Sequence, residues 1–251
     1  MNPSPLEIQL LGPVEITHRD KPLKISRRVE RAILYYLAVE HKPVSRTTLI
    51  DMLWPEAEQM DPRGALRTAL SRLRNELPDS DLILTEFDQV WIDLERCNID
   101  LVKFEGHYQS LKNILGVYQE NRPLPSQIVK QIQKALALWH GDTIIHGDNL
   151  TTYTEFESWR QNLNRTLGQQ RKLLTNKLAK HFQAAGKPDM ALELFIKIGQ
   201  QFPLDIDTHV SVLESLITLG RHQELLTYCD HLEEVYESKF NAPLPNEILE
   251  K

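Results

Sequence analysis

The spacing of apolar residues changes character along the chain. Between residues 6 and 25, short β-prone runs alternate with polar breaks, and the polar segment HRDKP (18–22) separates two of these runs. Runs of this kind are typical of short strands joined by a hairpin turn. From Ser26 to Leu77 the apolar residues instead recur every three or four positions, which predicts three helices. Residues 81–93 return to a β pattern, with two strands around a turn at 87–89.

The third helix, over residues 61–77, has the clearest amphipathic pattern. Asp61 is a good N-cap, and Pro62 fits the first helical position. Its apolar residues recur at helical spacing and form one face: Ala65, Leu66, Ala69, Leu70, Leu73 and Leu77. The order of strands, three helices and a β-hairpin predicts a winged helix-turn-helix. In that motif the third helix enters the major groove of DNA and the hairpin is the wing.

The second half of the chain carries an almost uninterrupted helical pattern. We expect helices over residues 100–119, 126–139, 155–185, 188–202, 206–219 and 221–238. Gly186 and Gly220 are 34 residues apart, the period of tetratricopeptide repeats. The sequence therefore predicts a mainly α protein: an N-terminal winged helix-turn-helix (α+β) over residues 1–97, followed by an all-α tetratricopeptide-like domain over residues 98–251. A generic helical bundle is the alternative for the second domain.

Composition and charge narrow the class of protein. The 251 residues carry a net charge of −6, and residues 1–100 contain 13 Lys and Arg against 17 Asp and Glu. This balance disfavours strong non-specific DNA binding but permits a local basic face. Two cysteines far apart disfavour a disulfide framework. The sequence shows no signal peptide or membrane span, so we expect a cytoplasmic protein without a membrane partner.

Segments in both halves resemble one family. They are IQLLGPVEI (8–16), SRRVERAILYYLAVEHKPVSRTTLIDMLWPE (26–56), ALRTALSRLRNEL (65–77), ALALWHGDTI (135–144), ESWRQNL (157–163), LGRHQELLTYCDHLEEVY (219–236) and LPNEI (244–248). Together they resemble the antibiotic regulatory proteins, which join an OmpR-type winged helix to a bacterial transcriptional activator domain. The resemblance extends over essentially the whole chain.

The resemblance implies a transcriptional activator that binds double-stranded DNA and recruits RNA polymerase. Members of the family usually bind direct repeats as pairs or as homodimers. In winged helices of this type the loop between helices two and three, here residues 55–61, contacts the polymerase. Its acidic residues Glu56, Glu58 and Asp61 would suit a basic polymerase surface, although solvated loops are often acidic without such a role.

The exposed face of the third helix supplies the candidate DNA contacts. Arg67, Thr68 and Ser71 lie centrally on this face and are candidates for base or phosphate contact, since Arg can bind guanine with two hydrogen bonds. Arg63 lies near the helix N-terminus. The remaining candidates are assigned to phosphate: Arg72, Arg74, Arg46 and Thr47. The alternatives are a solvated basic face and pairing of each arginine with a local carboxylate.

The wing departs from the family pattern, which usually has a Gly-Tyr pair and basic residues. Here the tip reads Glu86, Phe87, Asp88, Gln89, and its carboxylates would be repelled by phosphates. The acidic balance and this tip favour a second hypothesis, a protein-interaction adaptor whose winged helix no longer binds DNA.

Catalytic and cofactor chemistry is not indicated by the motifs. There is no phosphate-binding glycine loop, no H-E-x-x-H and no G-x-S-x-G. The segment HGDTIIHGD (140–148) contains potential metal ligands, but it is more simply explained as a pair of turns between helices. We therefore expect no enzyme activity, no cofactor and no metal.

Overall fold

The computed structural model describes residues 5–55, 61–118 and 122–249. The chain divides into two compact units. Unit 1 draws on residues 1–106 and 137–168, and unit 2 on residues 107–136 and 169–251. The compact unit that holds the N-terminal residues thus extends beyond position 97. The predicted boundary separates a winged-helix domain (1–97) from a tetratricopeptide-like domain (98–251), and it stays a prediction.

The first sheet of unit 1 has the strand order β3-β2-β1-β7. Strand β1 (Leu6–Gln9) pairs antiparallel with β2 (Glu15–His18) and parallel with β7 (Cys97–Ile99), and β2 pairs with β3 (Lys21–Pro22). Arg19 and Asp20 both have positive φ, the conformation of a tight two-residue hairpin. The predicted hairpin at HRDKP is therefore confirmed.

Three helices form the core of unit 1. They are α1 (Arg28–Glu40), α2 (Arg46–Leu53) and α3 (Pro62–Glu76), the last within one residue of the predicted bounds at each end. Helix α1 is buried almost all round, from Ala32 to Val39, and contacts both α2 and α3. It ends at His41, which takes the left-handed conformation common at helix C-termini.

The second sheet, with the order β4-β6-β5, carries the wing. Strands β5 (Ile83–Glu86) and β6 (Gln89–Ile92) form the hairpin, and β6 also pairs with β4 (Val44–Ser45) just before α2. The alternating residues Val90 and Ile92 are buried. The order of strands, three helices and hairpin is the predicted winged helix-turn-helix.

A segment from the second half of the chain completes unit 1. The backbone N–H groups of His140, Ile145 and His146 donate to carbonyls of residues 10–12 at 2.8 Å. Gly12 has φ +145°, and a Cβ there would lie 2.7 Å from the N atom of Gly141. The two segments thus cross where only glycine permits so close an approach.

Asp100 anchors the same crossing at the start of α4 (Asp100–Leu115). Its buried carboxylate accepts hydrogen bonds from the backbone N–H groups of Leu10, Leu11 and Leu101. Burial raises the pKa of Asp100, while these three bonds favour the ionised form. A buried polar residue therefore joins the end of β1 to the first turn of α4.

The remaining helices follow the predicted pattern, apart from a final helix of four residues that the pattern does not predict. They are α5 (Ser126–Leu136), α6 (Thr154–Ala184), α7 (Pro188–Gln201), α8 (Ile206–Thr218), α9 (His222–Phe240) and α10 (Asn246–Leu249). Two ends differ from expectation, since α4 stops at Leu115 and α5 at Leu136. Trp139 lies beyond α5, buried edge-on against Phe104 with ring centroids 5.5 Å apart. None of the helices in the described ranges has the length and apolar character needed to cross a bilayer.

The repeat predicted from two glycines has a structural counterpart in unit 2. Gly186 and Gly220 have φ values of 70° and 67°. After each glycine, the next N–H donates back to the fifth residue before it, Lys187 to Phe182 and Arg221 to Leu216. Both turns are the same left-handed helix end, 34 positions apart. Their spacing and matching geometry are those expected of the tetratricopeptide-like arrangement.

Candidate nucleic-acid interface

Helix α3 is positioned by its first turn and by its apolar face. The side chain of Asp61 accepts a hydrogen bond from the N–H of Gly64 at 2.9 Å, and Pro62 begins the helix. Leu66, Leu70 and Leu73 are almost fully buried, and the helix contacts both α1 and α2. Because one face is fixed against the core, the opposite face is directed to solvent.

That outward face carries most of the predicted DNA contacts. Within the described part of the chain, its arginines form no ion pair, and all of its predicted residues are exposed: Arg63, Arg67, Thr68, Ser71 and Arg72. Of the two alternatives considered for these arginines, pairing with local carboxylates finds no support among the described residues. The guanidinium groups are therefore available to an external anion or base.

Thr68 is more constrained than its neighbours. Its hydroxyl donates to the carbonyl of Gly64 at 2.9 Å, one turn back along the helix. The oxygen keeps its lone pairs, so in this rotamer Thr68 can accept a hydrogen bond but does not donate one outward. An amino group on a base suits it better than a phosphate oxygen, which has no proton to give.

Arg74 holds the wing against α3. Its Nε and Nη2 donate to the carbonyl of Ile83 at 3.2 and 3.0 Å, and Nη2 also reaches the hydroxyl of Thr85 at 3.3 Å. The side chain is half-buried. In this structure Arg74 is a positioning residue, and its predicted contact with phosphate stays a prediction for its remaining N–H groups.

The start of α2 is bonded to the wing as well. Ser45 caps the helix by accepting from the N–H of Thr48 at 3.0 Å, and the N–H of Arg46 donates to the carbonyl of Asp88 at 2.8 Å. Two of the first backbone donors of α2 are thus used internally. Phosphate binding at this end would depend on the side chains of Arg46, which is half-buried, and Thr47, which is exposed.

The wing tip shows a feature that sequence reasoning left without a role. Phe87 has φ 49° and is 96% exposed, between the exposed Glu86 and Asp88. The available signal was a large apolar residue at the centre of a two-residue turn, a position that favours glycine or asparagine.

The predicted polymerase loop, residues 55–61, is described only at its two ends, Pro55 and Asp61. Glu56 and Glu58 lie outside the described residues, whereas Asp61 caps α3 through its carboxylate. Capping accounts for Asp61 structurally, and the polymerase contact of the loop stays a prediction.

Sequence reasoning also missed an ion pair behind the winged helix. Arg31 of α1 binds Asp148 with two hydrogen bonds, Nε to Oδ2 at 2.6 Å and Nη2 to Oδ1 at 2.9 Å. The hydroxyl of Tyr35 donates to the same carboxylate at 2.9 Å. The hydrogen bond with Asp148 raises the pKa of Arg31, so the guanidinium group is held charged. Asp148, considered above among possible metal ligands, is thereby engaged by α1.

The contact continues along α1 toward its C-terminus. The ring of Trp159 packs on Tyr36 with centroids 4.8 Å apart, and its indole N–H donates to Glu40 at 3.3 Å. One face of α1 is therefore covered from within unit 1, while α3 faces solvent.

Across the described residues, no group of three or more His, Cys, Asp or Glu side chains could hold a metal ion.

Comparison with known proteins supports the fold. No family model matches the chain, and no curated protein matches its sequence. Among solved structures, Mycobacterium tuberculosis EmbR in complex with a low affinity phosphopeptide superposes with a TM-score of 0.72 at 17% identity. The match covers 98% of this chain and 64% of the EmbR chain. The chain thus shares with EmbR the fold predicted above, a winged helix-turn-helix followed by a helical domain.

Proposed function

We propose that this chain is a sequence-specific DNA-binding transcriptional activator of the antibiotic regulatory protein type. The observation that carries the proposal is the outward face of α3, where Arg63, Arg67 and Arg72 are exposed and form no ion pair with described residues. By contrast, Arg31 and Arg74 are committed to internal bonds. The chain thus separates structural arginines from a set available to a partner.

The proposed mechanism is insertion of α3 into the major groove. Arg67 can donate two hydrogen bonds to O6 and N7 of a guanine, while Thr68 accepts from a base amino group and Ser71 bonds to either base or phosphate. Arg63 lies near the N-terminus of α3, the end by which recognition helices usually enter the groove. Arg72, Arg46 and Thr47 would set the register by binding phosphates. Direct-repeat sites would then be occupied by two copies of the chain.

Activation would follow from recruitment of RNA polymerase in the cytoplasm. The acidic loop that ends at Asp61 lies between the two helices of the DNA-binding motif, and its residues Glu56 and Glu58 supply two further negative charges. A basic polymerase surface beside the promoter is the partner that fits such a loop by charge.

Selection of bound sequences from random DNA tests the proposal. The full chain should enrich a defined motif, and Arg67→Ala should bind that motif with a loss of about 1–3 kcal/mol while its thermal unfolding is unchanged. Arg165→Ala is the matched control, because Arg165 is also exposed on a helix but lies outside α3. Failure to enrich any motif, or equal affinity of both variants for it, would count against DNA recognition by α3.

A protein-interaction adaptor is the second candidate. It is favoured by the net charge of −6 and by the exposed carboxylates of Glu86 and Asp88 on the wing. An adaptor would enrich no motif in the same selection and would instead co-purify with a protein partner, whereas a DNA-binding protein binds its motif with an affinity that falls steeply with salt.

A further inference from the structure

Phe87 occupies the wing tip at two energetic costs. Its ring is 96% exposed to water, and its φ of 49° lies in the left-handed region that a bulky side chain rarely adopts. Glycine at this position would remove both costs. Backbone strain at an exposed aromatic residue points to a functional role, and for a ring at the tip of a hairpin that role is contact with a partner.

The surroundings of Phe87 indicate what kind of partner it meets. Glu86 and Asp88 flank the ring and are both exposed, and residues 83–92 of the wing contain no Lys or Arg. DNA phosphates would be repelled by this tip. A protein cavity with apolar walls and a basic rim would accept both the ring and the carboxylates.

Unit 2 of this same chain contains such a cavity, between α7, α8 and α9. Its walls include Pro203, Leu232, Val235 and the ring of Tyr228, and its volume is about 130 Å³. An apolar cavity of about 150 Å³ holds a benzene ring, so the space is comparable with one phenyl group. Gly199 also lines the cavity, and a Cβ there would lie 3.0 Å from the hydroxyl of Tyr228.

The charge of the cavity complements that of the wing. Lys239 and His231 are exposed at its edge, and none of its lining residues is Asp or Glu. Three other cavities among the described residues are lined by no Lys, Arg or His, including an acid-free one lined by Asn113, Ile114, Val117 and Tyr118. One beside α2 is lined by Asp51 and Glu155, and one at the end of α9 is lined by Glu233 and Glu237.

We propose that Phe87 of one copy inserts into the α7–α9 cavity of a second copy, with Glu86 and Asp88 facing Lys239. The contact joins two different surfaces, so it is heterologous and relates successive copies head to tail. Copies bound to direct repeats on DNA have the same relation. For copies bound to DNA, this contact rests on the proposed function. Self-association of the chain in the absence of DNA does not.

Photo-cross-linking tests the contact without DNA. Phe87 is replaced by p-benzoylphenylalanine, and isotopically heavy and light copies of the full chain are mixed and irradiated. We expect cross-links between heavy and light chains to peptides that contain residues 228–239. The same probe at Leu94, another exposed apolar residue of unit 1, is the control and should not label them. Absence of intermolecular cross-links, or cross-links directed elsewhere, would overturn the proposal.

A charge exchange tests the predicted orientation. Lys239→Glu should lower the cross-linking yield, and the added change Asp88→Lys should restore it. Lys130→Glu, which changes an exposed lysine on α5, should have no effect. An equal loss in the Lys239 and Lys130 variants, or no recovery in the exchanged pair, would contradict the assigned contact.

DNA with one or two copies of the selected motif separates this proposal from the proposed function. Phe87→Gly should leave affinity for a single site unchanged and lower the cooperativity between two direct repeats roughly tenfold or more, the effect of burying one aromatic ring. Loss of single-site affinity would show instead that Phe87 contacts DNA. If the wild-type chain binds no DNA, the proposed function fails while the cross-linking result still decides the contact.

Discussion

Arg31 and Asp148 form a bidentate ion pair although 117 positions separate them in sequence. The pair joins the first helix of the winged helix to a segment that follows α5. Tyr35 shares the carboxylate, and the guanidinium of Arg31 also donates to the carbonyls of Ile25 and Ser26 at 3.1 Å. The winged helix therefore depends for part of its support on residues outside the first hundred.

Removal of the carboxylate at position 148 tests this support. Asp148→Ala leaves a poorly exposed guanidinium without its partner, so we expect the free energy of unfolding to fall by about 2 kcal/mol. Urea denaturation measures the change. Asp51→Ala, at an exposed carboxylate of α2, should change stability by less than about 0.5 kcal/mol. Equal stability of the two variants would show that the ion pair contributes nothing.

A pair of glycine substitutions tests the chain crossing in unit 1. Gly12→Ala would place a Cβ 2.7 Å from the backbone N of Gly141 at a positive φ, so it should destabilise the fold by about 2–4 kcal/mol. Gly106→Ala lies within α4 with no atom within 4 Å of the new Cβ and should stabilise by about 0.5–1 kcal/mol. Opposite signs in thermal unfolding are expected, and a harmless Gly12→Ala would contradict the close approach.

Glu30 is a buried carboxylate for which the described residues offer no hydrogen-bond partner. Its exposure is 0%, and neither oxygen is bonded. Because a buried unpaired polar group is costly, Glu30→Met should raise the free energy of unfolding by about 1–2 kcal/mol. Glu155→Met, at an exposed position, is the control in the same urea titration. Destabilisation by Glu30→Met would mean that the carboxylate is satisfied and structural.

The stability of unit 2 should decrease on mild acidification because of His209. The ring is 2% exposed, its Nε2 is 2.9 Å from the carbonyl of Pro203, and its Nδ1 is 2.7 Å from the hydroxyl of Tyr228. Burial lowers the pKa of His209, so the unfolded chain takes up the proton more readily. Its contribution is full above the ordinary pKa of about 6.5 and is lost as pH falls below it.

Urea titrations at several pH values measure this dependence. One proton corresponds to a slope of at most about 1.4 kcal/mol per pH unit. His209→Gln should remove that part of the loss, whereas His222→Gln, at an exposed histidine, should not. The pKa of His181 is also lowered by burial, so some acid sensitivity should persist in His209→Gln. An unchanged pH profile in that variant would exclude His209 as the cause.

The helices, the wing and the glycine turns were predictable because their signals are local. Apolar periodicity, the N-caps Ser45 and Asp61, and two glycines one repeat apart each act within a few residues of the element they define. The face of α3 follows from the same periodicity, so the exposure of Arg67 could be anticipated.

Partners distant in sequence could not be anticipated in the same way. Nothing near Arg31 or Asp148 indicates that they meet, and the capture of Arg74 by the wing depends on how the hairpin folds back on α3. The residues around Asp148, Gly147 among them, predict a turn and give no sign of an ion pair. Tertiary packing determines which partners these side chains contact. The periodicity of a single sequence does not show which distant residues will meet.

The most direct test of DNA recognition is the affinity of wild-type and Arg67→Ala chains for the selected motif, measured over a range of salt concentrations. We expect wild-type binding that weakens steeply with salt, and a loss of about 5- to 150-fold for Arg67→Ala at each concentration. Wild-type affinity that is independent of salt, or identical curves for the two chains, would contradict DNA recognition by α3.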